Sequence, residues 1–250
     1  MNYTPMPNTC LYNPLYIQYV EDIGKNQYFY YDLEYPIFHN VKNSYFQVDE
    51  TILTNLNNTI YSSVYTFKDG VFEEEQQMDK INSDNSKINY QVYSDYDITF
   101  NKNQVISLKL NLFAYEGVKS VAYNDLYNYN IDLLTGKQLL LKDIFREGVD
   151  YIKLINDYIN YNIKQNPKLY YPNLVVDIPE DQSFYLTDQG IVIYFAIDEV
   201  SPKEAGSAKF LLEFSKFDSY INPRFFCNTQ PSRKYMNRSR PRPQNHRYYY

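Results

Sequence analysis

The sequence has no tryptophan and only two histidines, two cysteines and seven glycines, and each scarcity closes off a class of function. A histidine metal site generally needs two ligands at helical or hairpin spacing, and His39 and His246 form no such pair. Neither Cys10 nor Cys227 has a C-x-x-C partner, so neither reads as an activated nucleophile or a zinc ligand. Two cysteines also exclude a disulfide framework. They leave room for a single bridge between the chain's ends, with free thiols in a reducing interior the preferred reading. Phosphate-binding glycine loops, dinucleotide fingerprints and nucleophile elbows are missing. Nowhere do about eighteen apolar residues run together, and Met1 to Asn8 lacks a cationic segment leading into an apolar one. Neither a transmembrane helix nor a signal peptide is expected, and a cytoplasmic origin follows as the expectation.

What is abundant is tyrosine, 30 residues of 250, with a 44% hydrophobic fraction large enough to fill a real core. The accompanying Asn, Ile and Lys fit an AT-rich bacterial genome, so codon bias is the first explanation. Tyrosine can still bury its ring while its hydroxyl stays wet, which suits strands and binding faces. Charge is uneven. All 30 acidic residues lie at or before Asp218, whereas seven of the 24 basic residues follow it, giving −13 before and +7 after. An acidic body disfavours nucleic acid and favours basic partners. The segment after Pro223 carries Arg-Pro-Arg-Pro and few aliphatic groups, and is expected to be disordered. Its Tyr248-Tyr249-Tyr250 end suits anchoring or cross-linking in a coat.

Periodicity gives the elements. Tyr28 to Phe38 reads as a strand, with Pro36 placing it at an edge or a strand end. Asp49 can cap a helix whose stripe is Ile52, Leu56, Ile60, Val64 and Val71. Glu73-Glu74-Glu75 on that helix reads as a solvated face. Ile106, Leu108, Leu110 and Leu112 alternate with Ser107, Lys109 and Asn111 after an Asn101-Lys102-Asn103 turn. Tyr127 to Leu133 and Gln138 to Leu141 flank Gly136 as a second hairpin. Asp150 opens a helix with Ile152, Ile155, Ile159 and Ile163 on one stripe, closing at Pro167. Phe184 to Leu186, Ile191 to Phe195 and Ala208 to Phe214 complete the strands. The fold class is α+β: antiparallel sheet(s) with two main helices packed on one face and a disordered C-terminal tail. Asp177, Glu180 and Asp181 could flank a glycosidic bond, but in a proline-bounded loop they read as a solvated turn.

The stretch Tyr129-Asn130-Ile131-Asp132-Leu133-Leu134-Thr135-Gly136-Lys137, running on to Leu141-Lys142-Asp143-Ile144-Phe145, resembles the hallmark hairpin of the PdaC/RsiV-like paired domains. Tyr35-Pro36-Ile37-Phe38 and Leu186 to Phe195 followed by Glu199-Val200-Ser201-Pro202 and Ala205-Gly206 add to the likeness. The family includes the extracytoplasmic part of a lysozyme-sensing anti-sigma factor and the region ahead of a peptidoglycan deacetylase domain; many members have no assigned function. The resemblance implies an N-terminal arm at 1–27, a PdaC-like domain at 28–134, an RsiV C-terminal-like domain at 135–223 and a basic Tyr-rich tail at 224–250. Many relatives carry a Gly-Gly-Ala-His-like stretch where this chain has Tyr115-Glu116-Gly117-Val118-Lys119-Ser120, with one glycine and without the histidine. Neither a sigma-binding segment nor a deacetylase domain is read in these residues, so signalling and deacetylation are not expected to carry over.

Together these readings predict a non-enzymatic binding module without cofactor or metal. Its partner is cell-wall glycan or a basic wall-active protein such as lysozyme. The expected binding residues are Tyr115, Glu116, Tyr123, Asp125, Glu199 and Glu204, on loops at Gly117 to Asp125 and Val200 to Gly206. The alternative is a structural spore-coat or surface-layer protein assembled through its tail.

Overall fold

The computed structural model describes residues 10–81, 89–117 and 120–225. Strands β1 (Leu15–Lys25), β2 (Phe29–Asn40), β3 (Tyr90–Lys102), β4 (Val105–Glu116) and β5 (Ser120–Asp132) form one sheet in that order, with helix α1 (Glu50–Ile81) between β2 and β3. After it come a single helical turn, α2 (Leu141–Ile144), and helix α3 (Tyr151–Gln165). The strands β6 (Phe184–Leu186), β7 (Gly190–Tyr194) and β8 (Lys209–Glu213) make a second, antiparallel sheet, and α4 (Phe214–Phe217) ends the series.

The predicted N-terminal arm is in part a strand. Residues of 1–27 from Leu15 to Lys25 pair with β2 from Asn40 back to Tyr30. The turn is closed by Asn26, whose Oδ1 accepts from the backbone amides of Tyr28 and Phe29, both at 2.8 Å. Alternation in β1 is masked in the sequence because one face is solvated and the other only half covered.

All strand pairs are antiparallel except β2–β3, which is parallel because α1 carries the chain back to the same end before β3 begins. That pairing stops at Leu33 opposite Ser94. Pro36 therefore sits where no β3 neighbour requires its missing N–H. Beyond it, Asn57 of α1 satisfies the exposed backbone of Phe38, accepting from its N–H at 2.8 Å and donating to its carbonyl at 3.0 Å.

Helix α1 starts where Asp49 Oδ1 accepts from Thr51 N; Leu53, Leu56, Ile60, Val64 and Val71 are buried against Leu33, Val92, Ile106, Leu108, Leu110 and Leu112, while Ile52, expected on the stripe, is only partly buried beside them. Each sheet has its own helix: α3, capped by Asp150 on Lys153 N, buries Ile155, Ile159 and Ile163 against the second sheet. The turn joining β3 to β4 is shorter than expected. It consists of Asn103 and Gln104, both at positive φ, which is the requirement of a two-residue hairpin.

The second predicted hairpin is only partly realised. Gly136 takes a positive φ as expected, but Gln138 makes a lone bridge to Ile131 and no strand follows. Instead Asp143 Oδ2 accepts from Leu140 N at 2.8 Å, and α2 turns Leu141 and Ile144 inward.

Each half has its own core, and the two meet where the first sheet reaches into the second. Phe100 and Val105 of the first sheet belong to the core of α3 and the second sheet. Buried Ser107 donates to Asn130 Oδ1 at 2.7 Å and accepts from Leu186 N at 3.0 Å, while Asn130 Nδ2 donates to the Phe184 carbonyl at 2.8 Å.

The predicted tail begins later than Pro223. The Arg224 guanidinium grips Asp132 through Nη1 at 2.8 Å and Nη2 at 2.6 Å, and Phe225 is 2% exposed. Cys10 is disulfide-bonded, which corrects the preference for free thiols. The only other cysteine of the sequence, Cys227, lies outside the described residues, as do His246 and the rest of 226–250.

Candidate functional site

A cleft of about 650 Å³ opens where the edge strand β5 faces the loops of the second half. Its floor comes from the outer face of the first sheet, where β4 and β5 present Asn111 and Asn124. Gln182, Tyr194, Glu199 and Lys209 come from the other side. Strand register explains the first pair: Asn111 lies on the face of β4 opposite the buried Leu110 and Leu112. Tyr194 is fixed by its hydroxyl, which donates to Asn128 Oδ1 at 2.5 Å, and Gln182 Nε2 donates to the Tyr194 carbonyl at 2.8 Å. Glu199 Oε2 accepts from Ala196 N and shapes the loop. Burial depresses the Lys209 pKa, and the nearby Lys109 ammonium pushes the same way, partly offset by Asp97. Lys109 itself pairs with Asp97 at 2.9 Å and stands over the Tyr185 ring. The lining is rich in amide and hydroxyl donors and acceptors, a set that suits a hydroxylated, amide-bearing ligand.

The rest of the outer sheet face has no helix on it. On β1, Glu21 lies opposite Glu34 of β2, and Asp32 is on the same face two residues earlier. The carboxylates of Glu21, Asp32 and Glu34 lie within 4.8 Å of one another. Burial chiefly, with the Glu21 charge next, raises the Asp32 pKa against a hydrogen bond from Tyr30. Burial also raises that of Glu34, with neighbouring acids adding to it and a hydrogen bond from Tyr19 opposing it. Asp32 Oδ1 is buried and makes no hydrogen bond. Alongside runs a row of half-buried rings: Tyr30 to Tyr93 at 5.8 Å, Tyr93 stacked on Phe113 at 5.5 Å, and Tyr115 edge-on to both. Asp95, also on this face, accepts from the Asn111 amide.

The six predicted residues are not brought together. Asp125 and Glu199 both line the cleft. Tyr115 belongs to the open ring row. Glu116 ends β4, paired with Tyr90 and Ser120. Tyr123 is turned to α1, where its hydroxyl donates to Glu74 at 2.5 Å. Glu204 sits on the exposed turn Lys203–Ala205, away from the cleft lining. The expected loop at Gly117 to Asp125 is largely strand β5, and Val118 and Lys119 lie outside the described residues. His39 stacks on Tyr16 and bonds Gln18 at 3.0 Å. The acidic cluster was missed, although Tyr30, Asp32 and Glu34 alternate with Phe29, Tyr31, Leu33 and Tyr35 in the sequence and so belong to one face.

Comparison with known proteins accords with this architecture. Residues 23–118 match the family described as deacetylase PdaC, and residues 142–215 match a family of proteins of unknown function, DUF3298. A solved DUF3298 family member from Bacteroides fragilis is 12% identical, with a TM-score of 0.63 over 85% of this chain and 96% of that one. Another, from Pseudomonas aeruginosa, is 10% identical, with a TM-score of 0.56 over 86% of this chain and 97% of that one. At these identities the likeness concerns the fold alone. No curated protein matches the chain. No helix among the described residues is long and apolar enough to cross a membrane.

Proposed function

We propose that this chain, which has the PdaC/RsiV-like paired-domain architecture, is a non-enzymatic binding module that holds cell-wall glycan in the cleft between its two halves. The observation that supports this is the cleft lining. Asn111, Asn124, Gln182 and Lys209 offer donors and acceptors around Tyr194, the mixture that hydroxyl and N-acetyl groups pair with. The Glu199 carboxylate adds an acceptor for sugar hydroxyls. Soluble peptidoglycan fragments titrated into the isotope-labelled chain test the reading. Amide shifts should gather at Asn124 to Tyr127, Gln182 and Ala196 to Glu199. The variants Asn124→Ala and Lys209→Ala should weaken binding while leaving the melting temperature in place. A spectrum indifferent to millimolar fragments overturns it.

The open acidic face supports a second reading, in which a basic wall-active protein such as lysozyme docks on it. Association would then slow as salt rises, because exposed charges are screened beyond a Debye length of about 10 Å at 0.1 M. A salt-independent association rate removes this second reading.

A further inference from the structure

We propose that the uncovered face of the first sheet is a docking surface for the chain's own basic C-terminal segment, residues 233–247. This stands apart from the glycan reading of the cleft and does not depend on it.

The face asks for cations. Glu21, Asp32 and Glu34 crowd together, Asp95 lies beside them on β3, and an oxygen of Asp32 is buried without a hydrogen bond. Like charges held this close in partly desolvated positions repel, and a donor-rich cation that approaches them relieves both the repulsion and the orphaned oxygen. The neighbouring rings of Tyr30, Tyr93, Phe113 and Tyr115 supply flat π faces, on which guanidinium groups stack. An arginine-rich segment with interspersed tyrosine matches this surface in charge and in ring chemistry.

That occupant is present in the same molecule. After Phe225 the sequence holds Arg233, Lys234, Arg238, Arg240, Arg242 and Arg247 and no acidic residue. The segment leaves the body at a fixed point. Arg224 binds Asp132 and donates to the Gln104 carbonyl at 3.2 Å, which places its start at the Val105 end of β4. From there to Tyr115 along β4 is roughly 33 Å at about 3.3 Å per residue. Crossing to β2 adds roughly 10 Å for two strand spacings. Arg233 is eight residues beyond Phe225, a reach of at most about 28 Å, and Arg242 extends that to about 60 Å. The cations therefore span the face. Tethering also confers an effective concentration on the order of millimolar, so a contact too weak to hold two separate molecules would still be populated within one.

Carbodiimide cross-linking of the full chain at low micromolar concentration tests the proposal, because Lys234 is the only lysine after Phe225. Expected products join Lys234 to Glu21, Asp32, Glu34 or Asp95 of the same chain. They should disappear in high salt and in the variant Asp32→Asn/Glu34→Gln. Changing Arg233, Arg238, Arg240, Arg242 and Arg247 to Gln should shift the amide resonances of Tyr19 to Glu34, Tyr93 to Asp95 and Phe113 to Tyr115, with the remaining resonances unmoved. Cross-links scattered over distant acids such as Glu147 and Asp157 would overturn the proposal. So would products found only between isotopically distinct chains, which would make the occupant a second copy. Loss of the cross-link on adding calcium alone at low millimolar concentration would make the cluster a metal site and likewise end it.

Discussion

Arg224 is the residue whose removal distinguishes a clamped C-terminal segment from a loose one. Its guanidinium makes two bonds to Asp132, at 2.8 and 2.6 Å, and reaches the carbonyls of Gln104 at 3.2 Å and Asn103 at 3.4 Å. The side chains of Arg224 and Asp132 are 28% and 11% exposed. Breaking a fully buried pair costs roughly 3–5 kcal/mol, and an exposed one at most about 1 kcal/mol. A partly covered bidentate pair falls between, so Arg224→Ala should cost about 2 kcal/mol. In a body of this size that lowers the melting temperature by roughly 4–8 °C. Calorimetry on Arg224→Ala, Asp132→Asn and the double variant measures the coupling directly. The pH dependence has a definite sign. Burial raises the Asp132 pKa, but the Arg224 hydrogen bonds and charge, with the Leu134 amide, outweigh it and hold the carboxyl below its ordinary value. A depressed carboxylate contributes its stability above the unfolded pKa of about 3.9 and loses it as pH falls through the folded value. The cost of Arg224→Ala should therefore be full at neutral pH and shrink below about pH 4. Single variants that melt like the wild type, or that add without coupling, would refute the clamp.

Deleting 228–250 should leave the melting temperature nearly unchanged, whereas deleting 224–250 should lower it, because Arg224, the 2%-exposed Phe225 and Cys227, the only cysteine available to pair with Cys10, are lost with it; equal melting of the two truncations contradicts this. Ile155, fully buried under the second sheet, should tolerate no charge: Ile155→Asp is expected to cost about 4 kcal/mol or more, read by denaturant titration. Asp32→Asn/Glu34→Gln should raise stability at neutral pH, with the gain vanishing in acid. Groups whose folded pKa is raised contribute stability below their unfolded pKa and lose it as pH rises. A gain that grows in acid would reverse the assignment. Acetylated glycans should show no hydrolytic turnover that survives repurification, and turnover that copurifies with the chain would make the module an enzyme.

The elements legible in the sequence are those whose signal is local. The stripe on α1, the Asp150 cap of α3 and the alternation on β4 each follow from spacing within one segment, and all three stand in the structure. What was not legible depended on partners distant in the chain. Strand β1 lacks a clear alternation because its faces are covered unevenly, and only its pairing with β2 makes it a strand. Gln138 to Leu140 had strand-like composition, yet a single carboxylate, Asp143, capped the backbone and turned the chain into α2. Arg224 read as tail because six further cations follow it. Its partner, Asp132, is 92 positions away.

The same distinction applies to the candidate sites. Asp125 and Glu199 are 74 positions apart, and they line one cleft only because the buried Ser107–Asn130–Phe184 bonding draws the second half against β4 and β5. Tyr123 and Asp125 stand two positions apart on β5, opposite Ala114 and Leu112, and so share the face that carries α1, where the Tyr123 hydroxyl is committed to Glu74. Tyr115 stands on the opposite face in the ring row, so choosing residues by chemical type alone mixes two faces of one sheet. Alternation separates them: on β2 the apolar set of Phe29, Leu33 and Tyr35 goes to α1, which leaves Tyr30, Asp32 and Glu34 for the outside. A carboxylate in such a position gains nothing for the core and, at Asp32, retains an oxygen without a hydrogen bond. An uncompensated group of this kind on an uncovered face is unfavourable to the isolated fold.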